Sequence, residues 1–105
     1  MNRPLRNPQI VWRVEKRRRA DLVAALEAGE ETADVGTVTL IQSGMMHQLN
    51  LVGGMIWERC DGQQTIEQIV AELATEFDVA PAELRADVEA FVADLAGKGW
   101  LTDAV

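Results

Sequence analysis

Two amphipathic stripes separated by a proline do most to limit the folds open to this chain. In the first, Ile66, Ile69, Val70, Leu73 and Phe77 recur with the period of a helix. In the second, Leu84, Val88, Phe91 and Leu95 are spaced four, three and four residues apart, with Val92 flanking them. Pro81 lies between the stripes and suits the first turn of a helix, where its missing N–H would have had no partner. Thr65 and Gln68 have capping-box spacing ahead of the first stripe. Each helix is apolar on one face, so the C-terminal half must bury both faces in a core. Gly97 and Gly99 close the second helix, after which Trp100-Leu101 folds back onto that core.

Upstream, the pattern changes period. Asn50 is a good N-cap for a helix from Leu51 to Cys60, which Asp61-Gly62 ends. Before it, Thr37 to Ile41 is β-branched and continuous, Gln42-Ser43-Gly44 reads as a tight turn, and Met45 to Leu49 returns as the second strand of a hairpin. Alternation puts Met45, His47 and Leu49 on one face of that strand and Met46 and Gln48 on the other. Ile10 to Glu15 is a further strand. Residues 17–29 suit a helix with a weak stripe of Leu22, Ala25, Leu26 and Ala28, stopped at Gly29, and residues 30–36 are acidic and turn-like. Residues 1–9 carry two prolines and two asparagines and read as a flexible tail. The expected organisation is one domain over 10–105, with 16–35 as an inserted helical segment. Its class is α+β and winged-helix-like: a short three-stranded antiparallel sheet packed on a three-helix cluster, with the inserted helix added.

The chemical inventory excludes much. At 105 residues the chain encloses one modest core and leaves little room for a deep cleft. It has one histidine, one cysteine and no tyrosine. His47 and Cys60 form a nucleophile–base pair only if the fold joins them, and nothing supplies a third, orienting group. Cys60 ends an apolar helix, where a buried structural thiol is the plain reading. A structural zinc site needs about four Cys or His ligands, and two are present. Gly53-Gly54 lies inside a helical pattern with no phosphate-loop lysine after it, so close packing explains it better. The expectation is no catalytic residue, no metal and no cofactor. No apolar run approaches the roughly 20 residues that span a bilayer, and no apolar stretch follows the charged N-terminus. With one unpaired cysteine, this points to the cytoplasm and away from membranes.

Charge is unevenly placed. Residues 1–20 hold seven cations against Glu15, or +6; the remainder holds Arg59, Arg85 and Lys98 against sixteen acids, or −13, giving the net −7. The run Lys16–Arg19 and the winged-helix order invite a nucleic-acid reading. Against it, the last two helices carry Glu67, Glu72, Glu76, Glu83, Asp87, Glu89 and Asp94 with Arg85 as their one cation. A groove-reading helix supplies several cations to phosphates and base edges.

Met45 and Met46 suit hairpin packing, but methionine is also over-used at adaptable binding surfaces. The strand that carries them is read as the free edge of a small sheet, where extended peptides add a strand. The segment LNLVGGMIWERCDGQQTIEQIVAEL, with Leu49-Asn50, Gly53, Ile56-Trp57, Asp61-Gly62 and Thr65, resembles the central signature of the PqqD family. Phe77, Val79, Leu84, Asp87-Val88, Phe91-Val92, Leu95, Gly99 and Leu101 extend the likeness, which covers about residues 36–101. The segment Lys16 to Asp34 departs from the compact family pattern.

This resemblance implies a peptide chaperone, a recognition element for ribosomally made and modified peptides. Such domains bind the leader of a precursor peptide and present it to a radical SAM enzyme, often one with a SPASM domain. Carried onto this chain, the resemblance puts the leader beside Met45, Met46, His47, Gln48 and Leu49, against a wall of Arg85, Val88, Phe91, Val92 and Leu95. The expected partners are the leader peptide and the radical SAM enzyme, with no nucleic acid or membrane and with a homodimer left open. The alternatives are a winged-helix DNA-binding transcription factor and a structural subunit of a larger enzyme.

Overall fold

The computed structural model describes residues 2–29, 36–77 and 80–104; for Arg18, Leu22, Leu26 and Glu27 it describes the backbone alone. The order is β1 (Pro4–Arg6), β2 (Val11–Val14), α1 (Lys16–Glu27), β3 (Val38–Gln42), β4 (Met45–Leu49), α2 (Leu51–Arg59), α3 (Ile66–Phe77), α4 (Pro81–Gly97) and β5 (Leu101–Asp103). Among the described residues the class is α+β, with four helices, a three-stranded antiparallel sheet and a two-stranded one. The chain gathers into two compact units, one of residues 8–55 and one of residues 1–7 with 56–105.

The first unit holds the sheet β2–β3–β4. Ser43 and Gly44 have φ of 51° and 76°, so the hairpin turn is two residues long with both in the left-handed region. That turn matches the twist of antiparallel strands and fixes the register Gln42↔Met45, Ile41↔Met46 and Leu40↔His47. Val38 and Leu40 are buried from β3. At the start of α2, Asn50 Oδ1 accepts the Gly53 N–H at 2.7 Å, the side-chain N-cap expected from the sequence. A Cβ on Gly54 would lie 2.7 Å from Val38 Cγ2 and 2.9 Å from Thr37 Oγ1. The glycine is there because α2 meets β3 too closely for any side chain. In α1, Ala25 is half-buried and Ala28 exposed. The Leu22 and Leu26 side chains and the turn read over 30–35 lie outside the described residues.

The second unit is built on α3 and α4, which pack against each other. Ile69, Val70 and Leu73 are buried from α3, and Ile56, Trp57, Cys60, Trp100 and Leu101 are buried in the same unit. The capping box closes both ways: the Gln68 N–H donates to Thr65 Oγ1 at 3.2 Å and the Thr65 N–H to Gln68 Oε1 at 2.8 Å. Arg59 ties the end of α2 to α3 through Glu72 at 3.0 Å and Glu76 at 3.1 Å. Gly99, with φ of 78°, ends α4, and the Trp100 N–H returns to the Leu95 carbonyl at 2.9 Å.

Two expectations are corrected. Residues 1–9 are not wholly a flexible tail, because β1 pairs antiparallel with β5 through Pro4↔Asp103, Leu5↔Thr102 and Arg6↔Leu101. The Arg6 N–H reaches the Cys60 carbonyl at 2.8 Å and the Asn7 N–H the Trp100 carbonyl at 2.9 Å. Pro4 misleads as sequence, yet a proline is tolerated as the first residue of a strand. The second correction is on α4, whose buried row is Leu84, Val88, Val92 and Leu95. Val92 is 3% exposed, not marginal, and Phe91 is half-buried, not central. The row 84–88–92 follows the i, i+4 ridge inward, which leaves Phe91 on the opposite margin.

Candidate functional site

Among the described residues, β4 is the terminal strand of its sheet. In a two-residue hairpin the closing pair exchanges both hydrogen bonds, and bonded pairs recur at every second residue. Met45, His47 and Leu49 therefore bond inward to β3. The N–H and C=O groups of Met46 and Gln48 point away from β3, to the open side. The strand is also well exposed: Met45 is 62% and Met46 68% accessible, Gln48 is exposed, and His47 and Leu49 are half-buried.

The register sorts the sheet residues into rows. Val11 pairs with Ile41 and Ile41 with Met46, so these three share the face bearing Met46. All three are exposed, Val11 to 66% and Ile41 to 44%. The next row on that face, Arg13, Thr39 and Gln48, is polar. Glu15 accepts from Arg13 Nε at 2.9 Å and from Thr39 Oγ1 at 3.5 Å. On the other face lie Trp12, Leu40 and His47, of which Leu40 is 1% exposed. Val11 and Ile41 were not singled out by the sequence reading. The signal available was the period of two, which separates Ile41 from Val38 and Leu40 within an unbroken apolar run.

The α4 residues divide. Val88, Val92 and Leu95 are 0–3% exposed, so they are core residues and present no accessible surface. Phe91 is half-buried and Arg85 exposed. Arg85 pairs with Glu89 and with Glu67, each at 3.0 Å. The hydrogen bond to Glu89, followed by the charge of Glu67, raises the guanidinium pKa and keeps it cationic. Arg85 and Glu67 also line a shallow groove between α3 and α4 whose other walls include Val70, Ala71, Ala74 and Pro81.

Nucleophilic chemistry finds no support at Cys60. The thiol is fully buried and donates to the Ile56 carbonyl at 3.1 Å. Burial pushes its pKa up to about 12, so it is neutral as well as inaccessible at ordinary pH. Among the described residues no group of three or more His, Cys, Asp or Glu side chains is placed to hold a metal, and no helix is long and apolar enough to cross a membrane.

The chain is similar to curated "PqqA binding protein" sequences of Rhodopseudomonas palustris, at 43% identity over 49 residues for strain BisB5 and for strain HaA2. Each alignment covers 47% of this chain and 48% of the relative, so it spans about half the length of the proteins it matches. Among solved structures, the solution NMR structure of the PqqD truncation of Methylobacterium extorquens PqqCD superposes with a TM-score of 0.64. That protein is described as a functional, stand-alone recognition element for ribosomally synthesised and post-translationally modified peptides. The match covers 94% of this chain and 87% of the other at 21% identity, and it shows a shared fold. The family model for coenzyme PQQ synthesis protein D (PqqD) matches residues 34–101, well over half of the chain, and the protein belongs to the PqqD family.

Proposed function

We propose that this protein is a non-catalytic peptide chaperone: it binds an extended leader segment of a ribosomally made precursor peptide along β4 and presents it to a radical SAM enzyme. The observation that carries the reading is an edge strand with exposed methionines and outward-facing backbone groups at Met46 and Gln48. An extended peptide satisfies those groups by adding a fourth strand, and side chains along Met45, Met46, His47, Gln48 and Leu49 give it register. Of the α4 residues that the family resemblance adds, Phe91 and Arg85 are accessible, whereas Val88, Val92 and Leu95 are buried in their own unit. The relatives' names support peptide binding, and the buried neutral thiol supports a role without covalent chemistry.

Calorimetric titration with a synthetic leader encoded beside this gene tests the binding step. Gln48→Pro removes an outward N–H and is expected to weaken binding at least tenfold while circular dichroism stays unchanged. His47→Pro removes an inward donor and damages the hairpin itself, so it is the less informative variant. Unchanged affinity in a folded Gln48→Pro protein would sink the edge assignment. The presentation step is tested by peptide modification in a reaction with the radical SAM enzyme, which is expected to depend on adding this protein.

A further inference from the structure

We infer that the exposed row Val11–Ile41–Met46 selects an apolar side chain at one fixed position of the bound peptide, and that Gln48 selects a polar one two residues away. The inference rests on β4 being the peptide-binding edge and adds what that edge asks of its ligand.

The argument is one of register. A strand added beside β4 sends its side chains alternately to the two faces. The residue opposite Met46 falls on the outer face and lengthens the row Val11–Ile41–Met46 by one member. Neighbours in such a row interact side chain to side chain, and an apolar residue there covers the open flank of a methionine that is 68% exposed. A carboxylate or ammonium in that position would lose hydration against Met46 without gaining a partner. Two residues along, the added strand extends the polar row Arg13–Thr39–Gln48. There Glu15 already takes up Arg13 and Thr39, so the contact offered to the peptide is the Gln48 amide. The ligand read from this face is an extended segment with an apolar and a polar residue at i and i+2. Met45 lies on the opposite face, beside the turn.

The test is a selection of random twelve-residue peptides displayed on phage, carried out on the whole protein and on Met46→Glu. Met46 is mostly exposed, so the variant keeps the fold. Peptides selected on the original protein are expected to align with one apolar column and a polar column two places away. On Met46→Glu, the apolar column should change to Lys and Arg. The original peptides should bind that variant about fivefold more weakly, the scale of one cross-strand pair.

If capture disappears in Gln48→Pro yet the column is unmoved by Met46→Glu, the edge reading stands and this inference fails. If no peptide is captured, or capture survives both Gln48→Pro and backbone N-methylation of the peptide at alternate positions, both fall together. Sedimentation without peptide supplies the remaining outcome. A dimer that Gln48→Pro dissociates would give the row to a second copy of the chain and overturn the inference.

Discussion

Arg6 Nη1 donates a 2.8 Å hydrogen bond to the backbone carbonyl of Glu58, in the last turn of α2, and a 3.0 Å bond to the carbonyl of Trp57. The final carbonyls of a helix have no partner within it and carry its negative dipole end, so a guanidinium there satisfies both needs. Arg6→Ala is expected to lower stability by about 1.5–3 kcal/mol, the range for hydrogen bonds to charged groups, as read from urea denaturation. Arg6→Lys should recover part of the loss, since it restores the charge but not the planar donor. Wild-type stability in Arg6→Ala would return residues 1–9 to the status of a tail.

Glycine substitutions in two helices should have opposite signs. Alanine is the better helix former by about 1 kcal/mol. At Gly97 nothing lies within 4 Å of an added Cβ, so Gly97→Ala should gain up to that amount. At Gly54 the same atom would press on Val38 and Thr37, and overpacking of about 1–3 kcal/mol should outweigh the gain. Thermal melts of the two variants decide it.

On α4, Val92→Ala should cost about 1.5–3 kcal/mol, because a buried side chain is lost. Phe91→Ala should cost less than the roughly 3–5 kcal/mol of a fully buried ring, since Phe91 is not fully buried, and should weaken leader binding. Denaturation and peptide titration on both proteins separate the roles. A large stability loss at Phe91 with none at Val92 would reverse the face assignment.

Cys60 should be silent to thiol reagents in the folded protein and react on unfolding. Its burial also sets a pH dependence. Below the ordinary thiol value of 9.0, folded and unfolded chains both hold the proton. Between 9.0 and about 12 the unfolded chain releases it and the folded one does not, so stability falls as pH rises through that window. The slope attributable to this group is at most about 1.4 kcal/mol per pH unit. Cys60→Ala should show a shallower decline in denaturation series from pH 8 to 10.5. Equal slopes would mean that other groups set the alkaline limit.

What was legible in the sequence was whatever is decided locally. The Thr65–Gln68 box, the Asn50 cap and the tight turn read at Gln42-Ser43-Gly44 each involve residues within four of one another, and each is present, the turn shortened to Ser43-Gly44 because Gln42 pairs with Met45 as the last residue of β3. The β1–β5 pairing joins positions about a hundred residues apart, and Pro4 argues against a strand until its partner is known. Val92 and Phe91 flank one helical stripe on opposite sides, and the choice between them is made by the tilt of α4 against its neighbours, which periodicity does not carry. In β4 the alternation was readable, but the apolar row around Met46 depends on how three strands are registered.

The pairing of β1 with β5 has a topological consequence. Pro4 stands opposite Asp103, and the Ala104 N–H bonds to the Arg3 carbonyl at 2.9 Å. Whatever chain precedes residue 3 and whatever follows residue 104 must leave the molecule side by side. A tether to a catalytic domain would then hold it from the same anchor point whether it were spliced upstream or downstream. A loop of a few residues across the gap would also close the polypeptide into a circle, and the circle could be reopened elsewhere without disturbing either unit's strand pairing.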